Sequence, residues 1–377
     1  MVYNKLLEIL PWRLKGYFGR RPNSTINTWE EIAKTNKVTQ VASGGCVQFA
    51  RPFTFDENLH NTFNENFNYP SPPLYTTEIE RGRVFRINYI FSVIDQNNTL
   101  LSSLSFDPMG RKTHPVFSEA YLPPAKLLKG KTLMLATLGA DTVYFHWMLD
   151  LIPRIDVAEK AGHALADFDH ILINPLSFQA QYETLKLLNI QFEKLVFVNE
   201  QDHYECEQLL VPSLIFHNPS ALKYLRRTFM YTCLNFPKER IYITRKNPTW
   251  RKILNETQML ELLNKYGFRT VEPEHLSFVE QVALFNSAQV IVSVHGAGLT
   301  NLVFGNPGSI LIELIADWHK NVDYWICASY AQMRYHYLGC ESSPSHAELG
   351  FSQTQNYNLT VDIALLEKHL QAAICDI

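Results

Sequence analysis

Three short segments of this chain carry residue types that suit anion binding or proton transfer. The first is His-Gly-Ala-Gly at 295–298, which follows the apolar run Val290–Val294 and precedes Leu299–Phe304. A glycine-rich loop between a strand and a helix lets backbone N–H groups approach a phosphate, and the helix dipole favours the negative charge. We interpret this loop as a candidate phosphate site, to which Thr300 and Asn301 would add polar groups. A tight turn with a structural histidine is the alternative.

The second segment is the basic stretch that follows a predicted strand at Arg240–Thr244. Arg245, Lys246 and Arg251 come directly after it. Ligands of open α/β sheets bind where the carboxyl ends of parallel strands meet, so these cations should lie at the same edge as the 295–298 loop. Arg245 is the best suited to hold a diphosphate, because a guanidinium binds phosphate oxygens in pairs. A solvated basic turn is the alternative.

The third segment contains His146, Asp150 and Arg154, which recur at intervals of four residues. On a helix they would share roughly one face. Asp150 would then hold His146 in one tautomer, which is the arrangement that a general base needs. Arg154 would position a substrate. The alternative is a surface network of the three side chains.

These segments belong to two series of alternating strands and helices. The first series runs from a strand at 132–138 to a helix at 220–233, and the second from a strand at 240–244 to a strand at 309–315. Strands separated by helices of this length indicate a parallel sheet that is covered on both faces. We therefore predict an α/β protein made of two Rossmann-like, doubly wound domains.

The predicted boundaries follow from the two series. Residues 1–235 form the N-terminal domain, in which 83–106 is expected to contain a β-hairpin, and residues 236–345 form the C-terminal domain. Residues 346–377 are a C-terminal segment whose last helix is a candidate to cross back to the N-terminal domain. The Asn- and Pro-rich stretch 61–73 is predicted to be a loop.

Composition excludes several classes of function. The net charge of −3 and the pI near 6.5 argue against nucleic-acid binding. No apolar stretch approaches the roughly 20 residues that a membrane span needs. The six cysteines show no paired spacing, so we expect reduced thiols and a cytoplasmic protein. The N-terminus is expected to form a helix up to Leu10 that either docks on its own domain or makes a peripheral membrane contact.

Together, the three segments resemble the motifs of glycosyltransferase family 61. HGAGLTN at 295–301, with Pro307-Gly308 downstream, is similar to the family's H-G-A-G-L-[ST]-N motif. FHWMLDLIPRI at 145–155 is similar to its G-H-W stretch, although Phe145 stands where the family commonly has glycine. IYITRKNPTWRKILNE at 241–256 resembles its I-Y-[IV]-[ST]-R block.

The resemblance implies a GT-B architecture, in which two Rossmann-like domains face a cleft and the C-terminal one holds a nucleotide-sugar. It also implies inversion at the anomeric carbon, no metal or other cofactor, and a glycan acceptor. We expect a UDP-sugar donor and a bacterial-type member that contributes to surface or capsular polysaccharide. His146, Asp150 and Arg154 are the candidate catalytic residues. The candidate nucleotide-sugar-binding residues are Arg245, Arg251, His295, Gly296, Ala297, Gly298, Thr300, Asn301 and Glu313.

Other functions stay open at this level. The same architecture serves nucleotide-sugar epimerases, and an inactive nucleotide-binding module in polysaccharide assembly would carry similar motifs. An NAD-dependent dehydrogenase is disfavoured because the 295–301 loop lacks the third glycine of G-x-G-x-x-G. The sequence Asp-Phe-Asp at 167–169 has the D-x-D form of metal-dependent sugar transferases. It precedes its predicted strand, so we interpret it as structural and predict no metal site.

Overall fold

The computed structural model describes residues 19–57, 59–108, 111, 113–215, 217–230, 237–244, 251–318, 321–343 and 357–375. Arg245 and the predicted N-terminal helix lie outside these residues. Contacts divide the described residues into two compact units. The first contains those up to Gly45 and those from Pro72 to Ala221, and the second contains Cys46–Ser71 and those from Leu222 onward.

The regular elements are numbered in chain order. The strands are β1 (Ser24–Ile26), β2 (Lys37–Ala42), β3 (Gly45–Gln48), β4 (Asn68–Ser71), β5 (Leu74–Ile87), β6 (Ile90–Ile94), β7 (Thr99–Leu101), β8 (Lys126–Met134), β9 (His170–Ile173), β10 (Leu195–Phe197), β11 (His203–Pro212), β12 (Glu239–Ile243), β13 (Phe268–Val271), β14 (Ala288–Val294), β15 (Ile310–Ala316), β16 (Arg334–Ser343) and β17 (Asn358–Thr360). The α-helices are α1 (Trp29–Ile32), α2 (Asn61–Glu65), α3 (Tyr144–His146), α4 (Arg154–Lys160), α5 (Gln179–Leu187), α6 (Pro219–Phe229), α7 (Glu256–Lys265), α8 (Phe278–Ser287), α9 (Asp323–Tyr330) and α10 (Ile363–Cys375). None of the helices described here has the length and apolar character needed to cross a membrane.

The second unit is built on a sheet of mostly parallel strands. Its order is β13-β12-β14-β15-β16-β17, and only β17 pairs antiparallel in this sheet. Counted over its parallel strands β12 to β16, this is the 2-1-3-4-5 order of a doubly wound sheet, whose direction of winding reverses between β12 and β14. β14 and β15 are almost entirely buried, as expected for strands covered on both faces. The α/β prediction is confirmed for this part of the chain.

The first unit has a mixed sheet in the order β1-β7-β6-β5-β11-β8-β9-β10, with β2 paired to β5. β11, β8, β9 and β10 run parallel, whereas β5 pairs antiparallel with β6 and with β11. The parallel strands predicted from 132 onward are present as β8 to β11, and the preceding region, where only a hairpin was predicted, adds antiparallel strands to the same sheet. β5 and β6 are joined by a two-residue turn, and only antiparallel strands can be joined so closely.

The β5–β6 turn is a second hairpin that the sequence does not reveal. The expected hairpin at 96–98 is present, since Ile94 pairs with Leu100 across it. The additional turn is Asn88-Tyr89, whose φ values are 50° and 65°. Two positive φ values define a type I′ turn, for which Asn-Gly is the preferred sequence. Because tyrosine stands where glycine is preferred, the sequence does not indicate a turn at this position.

Two segments group with the second unit, unlike the predicted boundaries. Residues 46–71 contain α2 and β4, where a loop at 61–73 was expected. Phe63 of α2 is fully buried and stacks on Tyr337 of β16 at 4.9 Å between ring centroids. The last helix, α10, buries Leu366 in the core beside β12, β14 and β15. These segments belong to the second unit because their apolar side chains are buried in its core, and not because of their position along the chain.

The helix predicted at 142–161 is interrupted. A π-helical turn at Trp147–Leu151 and Pro153 separate α3 from α4, and Ile152 N donates to Trp147 O at 3.1 Å. A π turn adds a residue to the helical repeat, so the side chains that follow it rotate away from the predicted face. Arg154, the first residue of α4, points into the unit instead of sharing a face with His146.

Two buried histidines lie together in the second unit. His369 of α10 is fully buried and His336 of β16 is 3% exposed, with 5.9 Å between their ring centroids. Phe53 and Phe55 pack on them, at 4.4 Å from His336 and 4.9 Å from His369 respectively. Burial lowers the pKa of His336 to about 3 and that of His369 to about 4. Both rings are therefore neutral at pH 7.

Acid should destabilise the protein through this pair. The ordinary histidine pKa is about 6.5, so the unfolded chain binds more protons than the folded one between about pH 4 and 6.5. The contribution of the neutral histidine pair to the unfolding free energy is therefore fully present above pH 6.5 and is lost as the pH falls towards 4. When the pH falls from 7.5 to 5, the unfolding free energy of the wild type should decrease by about 2 kcal/mol more than that of His369→Leu.

Urea denaturation at the two pH values measures this difference. His275→Leu is the matched control, because the side chain of His275 is 60% exposed. An equal loss of stability in His369→Leu and in the wild type would contradict the prediction.

Candidate functional site

The carboxyl ends of β12 and β14 form the switch point of the second unit. Thr244 follows β12 and His295 follows β14. Ile243 and Ser293 are paired in register, so the two strands end side by side. Ligands of open α/β sheets bind in the crevice at such a point. The predicted phosphate loop therefore leaves the sheet where the topology favours a ligand.

A buried carboxylate holds His295 in place. Its Nδ1 lies 2.5 Å from Oε1 of Glu313, and the hydroxyl of Tyr335 donates to Oε2 of Glu313 at 2.6 Å. Glu313 is fully buried and the His295 side chain is 9% exposed. Burial, together with the Glu313 charge, raises the pKa of Tyr335 well above its ordinary value, so the phenol stays a donor. Glu313 therefore orients the histidine, and its complete burial does not fit the direct contact with a nucleotide-sugar that the sequence suggested.

The structure brings the second sequence segment to this loop through Arg251. One guanidinium nitrogen of Arg251 donates to His295 O at 2.7 Å. Its backbone, at a left-handed φ of 59°, donates to Tyr357 O at 2.6 Å. Within the described residues, the buried Nε of Arg251 has no hydrogen-bond partner. A positive group with an unused donor beside the loop favours an anion there.

The polar residues after the loop face inward. Thr300 and Asn301 are both fully buried in the 3-10 helix Ala297–Phe304. Asn301 Nδ2 donates to Gln281 Oε1 of α8 at 2.8 Å. Asn301 therefore anchors the loop to α8, whereas the buried Thr300 hydroxyl has no hydrogen-bond partner among the described residues. Neither residue presents a polar group at the surface of the loop, which differs from the sequence prediction.

The glycines of the loop leave room above its amides. The first hydrogen bond of the 3-10 helix runs from Leu299 N to Gly296 O at 2.9 Å, so the amides of Ala297 and Gly298 precede the helical ladder. A Cβ added at Gly298 would meet no atom within 4 Å. Ala297 and Gly298 are half-buried, at the mouth of the loop.

The first unit holds the predicted histidine–carboxylate pair. His146 Nδ1 lies 2.6 Å from Asp150 Oδ2, and the side chains are 33% and 12% exposed. This contact fixes the tautomer in which Nε2 can accept a proton. Gly139, at a φ of 71°, lies against the ring, because a Cβ there would come within 2.6 Å of His146 Cδ2. The pair is partly accessible and rigidly backed, as a general base should be.

Arg154 does not take part in this pair. It is 1% exposed, and burial lowers its pKa to about 9. Its guanidinium donates at 3.0, 3.0 and 2.6 Å to the carbonyl oxygens of Leu135, Ala136 and Pro212. These carbonyls lie at the ends of β8 and β11, so Arg154 ties two parallel strands together. The predicted contact between Arg154 and a substrate does not fit this burial.

Both aspartates of the D-x-D sequence accept hydrogen bonds from backbone amides. Asp167 Oδ2 accepts from Ala164 N, and Asp169 Oδ2 accepts from Lys131 N, both at 2.8 Å. Across the described chain, no group of three or more His, Cys, Asp or Glu side chains is arranged to hold a metal ion.

Sequence reasoning missed three neighbours of these histidines. Tyr335 holds Glu313, and Tyr324 packs on His295 with 4.8 Å between ring centroids. Tyr324 belongs to α9 and Tyr335 to β16, and no element was predicted between the strand at 309–315 and the C-terminal segment. Gly139 follows β8 and contacts the His146 ring. A lone glycine after a predicted strand is a turn signal, and it could have indicated a close approach.

Both histidines lie in a segment with known relatives. Residues 144–312 match the family model described as Glycosyltransferase 61. The matched segment begins two residues before His146 and ends one residue before Glu313, and it covers less than half of the chain. It supports the family suggested by the three sequence motifs.

Curated proteins similar to this chain carry names of glycosyltransferases. An EGF domain-specific O-linked N-acetylglucosamine transferase of Drosophila melanogaster is 34% identical over 83 residues, 21% of this chain and 16% of that protein. Alpha-1,3-arabinosyltransferase XAT3 of Oryza sativa subsp. japonica is 33% identical over 105 residues, 26% and 18% of the two chains. Protein O-linked-mannose beta-1,4-N-acetylglucosaminyltransferase 2 of Takifugu rubripes is 32% identical over 108 residues, 27% and 18%.

The aligned regions span less than a fifth of each of these relatives. The three relatives come from an insect, a plant and a fish, so the bacterial-type assignment stays a prediction.

The loop geometry predicts the effect of Gly298→Ala. The added methyl group meets no protein atom, so the fold should be unchanged, and it would occupy open space at the loop where the diphosphate is expected. Losing one hydrogen bond to a charged ligand costs about 1.5–3 kcal/mol, so a nucleoside diphosphate should bind about tenfold more weakly or worse. Isothermal titration calorimetry measures this, with Gly45→Ala as the control because Gly45 is equally open. Unchanged affinity in Gly298→Ala would place the ligand elsewhere.

Proposed function

We propose that this protein is an inverting glycosyltransferase of family 61 that transfers a sugar from a nucleotide-sugar to a glycan hydroxyl. The observation that carries the proposal is the hydrogen bond from the Arg251 guanidinium to His295 O, 2.7 Å long, at the switch point of the second unit. The family match over both histidines and the glycosyltransferase names of the relatives support it. The GT-B assignment, expected from the resemblance, is part of the same proposal.

The donor diphosphate binds at the 295–298 loop. Departure of a nucleoside diphosphate requires stabilisation of the developing negative charge, which fixed positive groups and backbone N–H donors can supply. Arg251, the loop amides and His295 are the described groups that would do this. Arg245, which the sequence also suggested for this role, lies outside the described residues. These groups serve without a metal ion. Glu313 keeps the His295 ring in position while the charge changes.

His146 is the base that deprotonates the acceptor hydroxyl. Asp150 holds the Nδ1 proton, so Nε2 accepts the proton of the attacking hydroxyl, and the carboxylate then stabilises the imidazolium. The hydroxyl oxygen bonds to the anomeric carbon as the bond to the diphosphate breaks. A single displacement of this kind inverts the configuration. The acceptor is a glycan, as the name of the O-linked-mannose relative suggests, and we expect a UDP-sugar as donor.

Ligand-induced melting shifts test the donor site. One nucleoside diphosphate among UDP, GDP, CDP, ADP and dTDP should raise the melting temperature equally with and without EDTA. A ligand at 100 times its Kd stabilises by about 2.7 kcal/mol. His295→Ala should lose most of this shift, whereas His275→Ala, at an exposed position of the same unit, should keep it. A wild type that responds to none of the five, or a His295→Ala protein that responds normally, would count against this donor site.

Turnover tests the base. With sugar derivatives of the nucleotide identified by the melting shifts as donors and a panel of neutral glycans as acceptors, His146→Ala should release nucleoside diphosphate about 10²–10⁴-fold more slowly than the wild type. Its nucleotide shift should be unchanged. His163→Ala, in the same unit, is the control. A loss of less than about tenfold in a folded His146→Ala protein would reject the assignment. Formation of a new nucleotide-sugar without acceptor would indicate an epimerase, and binding without product an inactive module.

A further inference from the structure

A polar cavity of about 360 Å³ lies in the first unit, beside the candidate base. Its lining comes from the segments that follow β8, β9 and β10, and from the β5–β6 turn. The lining residues are Arg86, Asn88, Tyr89, Asp141, Pro175, Asn199 and Glu200. β8, β9 and β10 are neighbouring parallel strands, so three of the four segments leave the sheet at carboxyl ends, where α/β sheets bind ligands. The volume suits a small ligand.

The floor of the cavity is a buried ion pair. Arg86, 3% exposed, donates to Asp141 Oδ2 at 2.7 Å and to Val198 O at 2.9 Å. Its Nε lies 3.6 Å from Glu200 Oε2. Within the part of the chain that the structure describes, Arg86 Nε and Asp141 Oδ1 are buried and make no hydrogen bond. Buried polar atoms are nearly always satisfied, so the hydrogen bonding of this floor is incomplete.

The rim carries an exposed aromatic ring. Tyr89 is 65% exposed, and its ring centroid lies 5.8 Å from the Arg86 guanidinium. Glu200 accepts hydrogen bonds from the amides of both Asn88 and Tyr89, which fixes the turn over the cavity. A bulky residue at a φ of 65° is unfavourable where glycine would be preferred. Since the ring is exposed, burial does not offset this cost.

The chemistry of the lining selects the ligand class. One arginine faces two carboxylates, so a phosphate or a carboxylate ligand would meet net negative charge. Hydroxyl groups can both donate to the carboxylates and accept from the guanidinium and the side-chain amides. The apolar C–H face of a pyranose ring packs on an aromatic ring. Neutral sugars combine these two properties.

We propose that this cavity binds a neutral pyranose unit of the acceptor glycan. The loop after β8 connects it to the base, because Gly139 lies against the His146 ring and Asp141 lies in the floor. Two residues of chain span at most about 7 Å between Cα atoms. A sugar held here would place a neighbouring part of the same glycan beside His146. The acceptor role rests on the proposed function, whereas sugar binding by the cavity does not.

Saturation-transfer NMR on the full chain without nucleotide tests the binding. The probes are methyl α-D-mannopyranoside, methyl β-D-xylopyranoside, methyl β-D-galactopyranoside and, as the charged counterpart, methyl β-D-glucuronide. At least one neutral pyranoside should receive saturation more strongly than the glucuronide. Absence of transfer to every neutral probe, or preference for the glucuronide, would overturn the proposal.

Tyr89→Gly is the decisive variant. It creates Asn-Gly, the preferred type I′ sequence, so it should remove the ring and leave the turn and the melting temperature intact. Affinity for the neutral pyranoside should fall about tenfold, the order expected for an aromatic contact together with its buried area. Tyr182→Ala is the matched control, because Tyr182 is 45% exposed in the same unit and stacks on Phe192 outside the cavity. Equal binding in Tyr89→Gly and in the wild type would overturn the proposal.

The donor measurements keep the two proposals separable. Tyr89→Gly should retain the nucleotide-induced melting shift of the wild type. Sugar binding that depends on Tyr89, in a protein that binds no nucleotide, would support the cavity and reject the transferase assignment. Nucleotide binding and turnover, with no binding of a sugar to the cavity, would support the transferase assignment and reject the sugar site.

Discussion

The second unit's candidate site depends on one buried carboxylate. Glu313 is fully buried in the middle of a parallel sheet, and a carboxylate removed from water is costly unless it is paired and hydrogen-bonded. His295 and Tyr335 meet this requirement from opposite sides of β15, since one follows β14 and the other lies in β16. The same two contacts fix the position of His295 at the start of the loop, where the Arg251 guanidinium donates a hydrogen bond to the His295 carbonyl oxygen.

The two units use the same chemical pair with different exposure. His295 and Glu313 are almost completely buried, whereas His146 and Asp150 are about one-third and one-eighth exposed. A buried pair is rigid and suits a group that must hold charge in place. A partly exposed pair suits proton exchange with a substrate that comes and goes. The two histidines therefore differ in access to solvent, and this difference supports the different roles proposed for them.

Unusual backbone conformations accompany the candidate ligand sites. Arg251, Tyr89 and Gly139 all have positive φ values, and each lies beside a candidate loop, cavity or base. Glycine adopts this conformation freely, but arginine and tyrosine do so at a cost. Such residues persist where the surrounding structure over-determines them, which is most often at functional sites. At Arg251, a hydrogen bond to Tyr357 O provides part of that support.

The sequence alone determined the alternation of strands and helices from β12 to β15, the glycine loop at the end of β14 and the contact of His146 with Asp150. These features are encoded locally, by hydrophobic periodicity and by four-residue spacing. The tertiary structure decided what each side chain meets. A π turn and Pro153 direct Arg154 inward, and strand register places Glu313 beneath His295. The hairpin at Asn88-Tyr89 positions Arg86 so that it donates a hydrogen bond to Asp141, 55 residues away in the sequence. Contacts between distant segments depend on register and burial, which no local pattern specifies.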